Sequence, residues 1–228
     1  SCPSLLLEPQ RSNLFEQSEY FGNSYWQKTN ATITDNITTS PEGLVNAAAL
    51  TENTSSSTHF IKSVTISASA STYYSASYFV KYNGRHFQIL GSTGSEGGGY
   101  VNFDLINGEV GSSDQIVGAI EPLGNGWFKC SGTNITSSSA TEIRLLPYLC
   151  TSKTSSRAES YLGDGTSGVY IFGAMLEQGS YPTSYIPTYG SAVTRSADST
   201  SAINVSSIGV TTNYTLFYEL GDFNVSVG

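Results

Sequence analysis

Charged residues are scarce in this chain. Only 12% of its 228 residues are Asp, Glu, Lys or Arg, and the formal net charge is −8. Too few bases are present to form a footprint for a nucleic-acid backbone or a polybasic membrane patch. Histidine is rarer still: His59 and His86 stand alone in separate runs, and no GxSxG turn is present. A nucleophilic triad therefore has no signature here. Glu109, Asp114, Glu121 and Glu142 are acids of the type used in glycoside cleavage. Acids on any β-sandwich can approach one another, so they carry little, and the chain reads as non-catalytic. The glycine-rich loop GSEGGG lacks the Lys of a phosphate cradle.

Cysteine is limited to Cys2, Cys130 and Cys150, with no Cys-x-x-Cys. No zinc site is expected from that set. Cys130 and Cys150 either bridge neighbouring strands or remain buried thiols, the plainer of the two readings. No apolar run approaches the ~18 residues of a transmembrane helix. The short Leu5-Leu6-Leu7 run, with no basic lead, is no signal peptide.

What is plentiful is the vocabulary of β-structure. There are 37 Ser, 24 Thr, 15 Tyr and 23 Gly, residues that suit strand faces and tight turns. Seven Asn-x-Ser/Thr sequons, beginning at Asn30, Asn36, Asn53, Asn134, Asn204, Asn213 and Asn224, follow from that composition and do not mark a glycoprotein. Period-2 alternation recurs in short runs. Residues 59–67 place Phe60, Lys62, Val64 and Ile66 on alternating sites; residues 74–82 set Tyr74, Tyr78, Val80 and Tyr82 opposite Phe79. Asn83-Gly84 reads as the turn of a hairpin, followed by a strand over 85–90 with Phe87 and Ile89 on one side and His86, Gln88 and Leu90 on the other. Further strands are expected over 100–105, 115–121, 127–133, 142–149 and 169–176. Within 42–50, Ala47-Ala48-Ala49-Leu50 after Ser-Pro-Glu is compatible with one short helix. Eight to ten strands amount to a sandwich.

Residues 173–198 read GAMLEQGSYPTSYIPTYGSAVTRSAD. Pro182 and Pro187 exclude helix, while Tyr181, Tyr185, Ile186 and Tyr189 are too apolar for a free linker. This wording resembles the closing strand and exit arm of jelly-roll modules in tailed-phage virion proteins, modules similar to carbohydrate-binding modules. PSLLLEPQRSNLF near the front, SEYFGNSYWQK, SPEG and the strand GNGWFKC resemble the same family and fall in its order. The resemblance covers residues 1 to about 198. It implies an all-β, carbohydrate-binding-module-like jelly-roll sandwich over 1–198, with an early strand where the alanine run lies. Residues 199–228 would begin a second β element or supply assembly strands. The chain opens on Ser1, and the front phrase follows upstream sequence in relatives, so a piece of a longer polypeptide is expected.

The function implied is that of a virion surface component, in a tail fibre, head fibre or capsid decoration, exposed on a particle made in the bacterial cytoplasm. It would bind host-surface or environmental glycans without catalysis. Sugar sites combine a stacking ring with planar amides, carboxylates or guanidinium donors. The polar strand faces offer Arg85, His86, Gln88, Tyr100, Asn102, Arg144 and Tyr148. Tyr181, Tyr185, Ile186 and Tyr189 form a candidate assembly arm toward other virion proteins or a second copy of the chain. Trp127 and Phe172 are expected to pack the core, and Trp26 to anchor the N-terminal segment. No cofactor is expected. A structural calcium, common in such modules, has one candidate, the loop 162–166, which reads more simply as an Asp-Gly turn. A purely architectural virion domain, or the binding module of a polysaccharide-degrading enzyme, fits the same wording.

Overall fold

The computed structural model describes residues 7–92 and 98–199. Cys2, most of the glycine-rich loop and residues 200–228, expected to begin a second β element or supply assembly strands, lie outside them. One compact unit is Arg11–Arg195. A second is formed by the two ends of the chain, described at 7–10 and 196–199. There the Asp198 N–H donates to the Glu8 carbonyl at 2.9 Å, and the Glu8 N–H donates to the Asp198 carboxylate at 3.0 Å.

The described residues contain no helix. Their strands are β1 (Arg11–Asn13), β2 (Gln27–Thr29), β3 (Ala31–Thr39), β4 (Val45–Glu52), β5 (Ser56–Ser57), β6 (Phe60–Lys62), β7 (Ile66–Ser67), β8 (Tyr73–Asn83) and β9 (His86–Ser92). After them come β10 (Tyr100–Asp104), β11 (Glu109–Asp114), β12 (Val117–Gly124), β13 (Trp127–Ile135), β14 (Glu142–Cys150), β15 (Tyr161–Leu162), β16 (Gly168–Gln178) and β17 (Val193–Arg195). One sheet runs β11-β10-β9-β14-β6-β2, with β7 also on β14; the other runs β12-β13-β8-β16-β4-β3. The chain crosses between sheets from β8 to β9, β11 to β12, β13 to β14 and β14 to β16, which makes an antiparallel jelly-roll sandwich.

Alternation explains the core. Phe87, Ile89, Val101, Phe103, Ile143 and Leu145 from the first sheet meet Tyr74, Ala76, Tyr78, Val80, Val169 and Ile171 from the second. Phe15, Phe21, Tyr25 and Trp26 of the N-terminal segment join the same core. In β16 the phase changes at Gly173, whose φ of +61° is one that side chains rarely adopt. The bulge between Phe172 and Met175 turns Phe172 outward and returns Ala174 and Leu176 to the core.

Two expectations are corrected. Asn83-Gly84 does turn, with Gly84 at φ +96°, but it closes no hairpin. Strand β8 pairs with β13 and β16, β9 pairs with β10 and β14, and the turn carries the chain across the core to set Tyr78 against Phe87, ring centroids 5.7 Å apart. The run 59–67 is broken into β6 and β7, and Ile61 rather than Phe60 enters the core. The alanine run is strand β4, the early strand that the resemblance implied, and its small side chains are buried.

Candidate functional site

The outer face of the first sheet carries most of the polar residues singled out above, and it is covered. Gln88 and Asn102 are directly opposite on β9 and β10 and are both fully buried. The Gln88 amide donates to Asn102 Oδ1 at 2.7 Å and to the Ser156 carbonyl at 3.1 Å, and its oxygen accepts the Ala158 N–H at 2.9 Å. Asn102 Nδ2 donates to the carbonyls of Ser155 and Lys153. The pair therefore clamps the loop 151–160 onto the sheet and presents nothing to solvent. Tyr148 is buried too, stacked on Phe60 at 4.2 Å and 5°; burial pushes its phenol up to about 12. Tyr100 stays half-buried at the start of β10, and Arg144 donates to the Thr65 hydroxyl. His86 Nδ1 accepts the Leu105 N–H at 3.2 Å, and burial lowers the imidazole pKa, so the ring sits neutral beside Asp104.

Arg85 is spent at the edge of the sandwich. Its Nε and Nη2 donate to Glu52 at 2.8 and 2.6 Å, and its guanidinium lies over the Tyr161 ring. Glu52, itself wholly buried, also accepts the Tyr161 hydroxyl at 2.8 Å and the Asp164 N–H at 2.7 Å. Four donors thus surround one carboxylate, the arrangement a buried charge requires. In the candidate calcium loop, Asp164 accepts the N–H and hydroxyl groups of both Thr166 and Ser167. Its carboxylate closes a turn with those bonds, and no group of three or more metal-ligating side chains occurs among the described residues; the loop does not fit calcium. Cys130 lies in the core and Cys150 on β14 of the opposite sheet; both are buried free thiols whose pKa burial raises.

The front motif and the exit arm turn out to be one structure. Strand β1 pairs with β17, Arg11 opposite Arg195. Buried Asn13 donates to the carbonyls of Ala174 and Ile186 and accepts the N–H groups of Phe15 and Leu176. The buried Ser18 hydroxyl bonds the Thr188 backbone twice, and accepts the Tyr185 hydroxyl at 2.7 Å. Tyr185 packs edge-on to Phe79 and against Phe172, in a second small core with Trp127 and Ala47. Ile186 is buried as well. Tyr185 and Ile186 therefore spend their surface inside the domain, whereas Tyr181 and Tyr189 remain 51% and 72% exposed.

Tyr189 borders a small open cleft of about 200 Å³, lined also by Glu19, Tyr20, Asp35, Asn36 and Asn46. The six side chains arrive from four places. Glu19 and Tyr20 come from the N-terminal segment that Asn13 and Ser18 pin down. Asp35 and Asn36 lie where β3 bulges between Thr34 and Thr38, with Asn36 at φ +55°. Asn46 follows on β4. Glu19 accepts the hydroxyls of Tyr189 at 2.9 Å and Tyr185 at 3.1 Å, which fixes one wall. Burial of the hydroxyl and its bond to Glu19 hold the Tyr189 phenol up at about 12, so its proton stays in place. Asp35 Oδ1 accepts the Gly22 N–H at 3.0 Å. A Cβ on Gly22 would lie 1.9 Å from Asp35 Oδ2, so glycine is what lets this carboxylate sit there. Asn46 Oδ1 is shielded and has no hydrogen-bond partner.

No protein-family model matches this chain, and no curated protein does. Among solved structures it is similar to the enzymatically active domain of tailspike protein 4 of bacteriophage CBA120. Identity is 15% and the TM-score 0.43, over 74% of this chain and 21% of that one. It is also similar to the CBM22-1–GH10 modules of the N-terminal endo-1,4-beta-D-xylanase 10B of Clostridium thermocellum, solved with xylohexaose. There identity is 17% and the TM-score 0.40, over 73% of this chain and 28% of that one. The chain spans less than a third of either neighbour. At this distance the site's chemistry rests on its own residues.

Reading the sequence for sites missed Glu19, Tyr20, Asp35, Asn36 and Asn46, and noted Tyr189 only for the arm. The one local signal was SEYFGN, where an acid, two aromatic residues and a glycine fall together. Asp35-Asn36 interrupts a strand-like Thr/Ile run, which marks a bulge but not what the bulge faces.

Proposed function

We propose that this chain is a non-catalytic module of a phage virion surface protein and that it binds glycans through the Tyr20–Tyr189 cleft. The observation that carries the reading is the pairing of two exposed phenol rings with two carboxylates and two amides around one concavity. A sugar offers C–H faces to rings and hydroxyl edges to planar polar groups, and this set answers both. The volume is below the ~300–1,000 Å³ of drug-sized sites, which suits one sugar residue and weak binding per copy. Many copies on one particle would raise it by avidity. The phage assignment rests on the wording of the front motif, GNGWFKC and the exit arm; copies of the chain and other virion proteins are its proposed partners, and the particle surface its place.

The test is binding of the full chain to a broad glycan array, with and without a calcium chelator. Selective, chelator-insensitive binding to one sugar class supports the reading. Silence from folded protein overturns it in favour of an architectural role. That second reading has its own observation, the large apolar residues left exposed at the sheet edges: Ile37, Leu44 and Val45 near β3 and β4, and Val117 and Leu123 on β12.

A further inference from the structure

Both charged side chains in the cleft's lining are carboxylates. Glu19 and Asp35 bring two carboxylates, and Asn46 adds a shielded carbonyl oxygen with no donor. The hydroxyl of Tyr189 is already given to Glu19. Lys28 is the neighbouring cation, its charge felt by Asp35, but its ammonium donates to the carbonyls of Gly22 and Asn23, both at 2.9 Å. Those two bonds hold the turn 20–23, and no Lys or Arg lines the cleft.

A ligand that brings positive charge and donors is therefore favoured, and a negative one would meet carboxylates with no basic partner in the lining. Resting on the sugar reading above, we infer that the cleft selects sugar units carrying a free ammonium group, such as glucosamine, over their N-acetylated forms and over uronic acids. The sugar ring would lie against Tyr20 or Tyr189. Its ammonium would face Asp35 Oδ2, the carboxylate oxygen with no hydrogen bond of its own, and its hydroxyls would face Asn46 and Glu19. Acetylation removes that charge and two of the three N–H donors, and a uronate adds repulsion.

The experiment is a titration of the full chain with glucosamine oligomers, N-acetylglucosamine oligomers and oligouronates of equal length, repeated at high salt. Glucosamine oligomers are expected to bind about fivefold more tightly than the acetylated form, as one partly solvated charge pair allows. High salt should erase that margin. Asp35→Asn, whose amide oxygen can still accept the Gly22 N–H, should abolish the margin. Glu121→Gln, on the opposite edge strand β12, should leave it intact and so separates the cleft from general attraction to an acidic protein. Equal affinity for the two forms, or a margin that Asp35→Asn and Glu121→Gln reduce alike, overturns the charge selection and leaves sugar binding standing. If Tyr189→Ala leaves binding of every sugar unchanged, the cleft reading fails with it.

Discussion

At the scale of single residues, the strongest commitments are buried polar groups that answer one another. Glu52 is a wholly enclosed carboxylate, and among the described residues Arg85 is the cation paired with it. Arg85→Met leaves that charge uncompensated and should lower unfolding free energy by about 3–5 kcal/mol, read from urea denaturation. The double variant Arg85→Met/Glu52→Gln should recover part of that loss. Asp104 gives a pH dependence. Burial alone would raise its carboxyl, but hydrogen bonds from the Asn107 amide and from the N–H groups of Asn107 and Ile106 overcome this and hold it at about 2. A carboxyl depressed by folding adds stability that is full above its unfolded pKa and is lost as pH falls through the folded one. Asp104→Asn should therefore flatten the stability profile between about pH 4 and pH 2, measured by denaturant midpoints across that window.

At the scale of elements, the joint between the N-terminal segment and the exit arm organises one side of the domain. Asn13 satisfies two carbonyls and two N–H groups that have no access to water. Asn13→Ala strands them and should cost about 2–3 kcal/mol or more, with earlier proteolytic cutting in 183–192 as a second readout. Gly173→Ala would set a Cβ 2.4 Å from the Phe79 ring at φ +61°, so the bulge must shift and the thermal midpoint should fall. Much of this scale was legible in the sequence. Phe87, Ile89, Val101 and Phe103 alternate, and alternation alone puts them inward. The tyrosines and prolines of the arm announce an extended packed segment. What alternation cannot convey is long-range placement. It sets Gln88 and Asn102 on the face away from the core, as they are, but not under a loop that returns fifty residues later. Nor does a two-residue turn reveal whether it closes a hairpin or crosses the core, because both sides of Asn83-Gly84 offer one apolar face either way.

At the scale of the whole molecule, the sandwich is a scaffold, and the proposed recognition site is the cleft where the front motif, the β3 bulge and the exit arm converge. The two motifs with the clearest wording are the two that build that cleft, a convergence that becomes visible only once β1 and β17 are seen to pair. The sheet face expected to hold the ligand is closed by its own loop, with its amides used up. The central claim is therefore one of location, and it separates two surfaces. The direct measurement is saccharide binding by the wild type, Tyr189→Ala and Tyr100→Ala under one set of conditions. Tyr189 is largely exposed, so its loss should leave the fold intact and weaken binding about tenfold, as loss of a stacking ring does. Tyr100→Ala should bind as the wild type does. Loss of binding in Tyr100→Ala with Tyr189→Ala unaffected would contradict the account and return the site to the covered face of the first sheet.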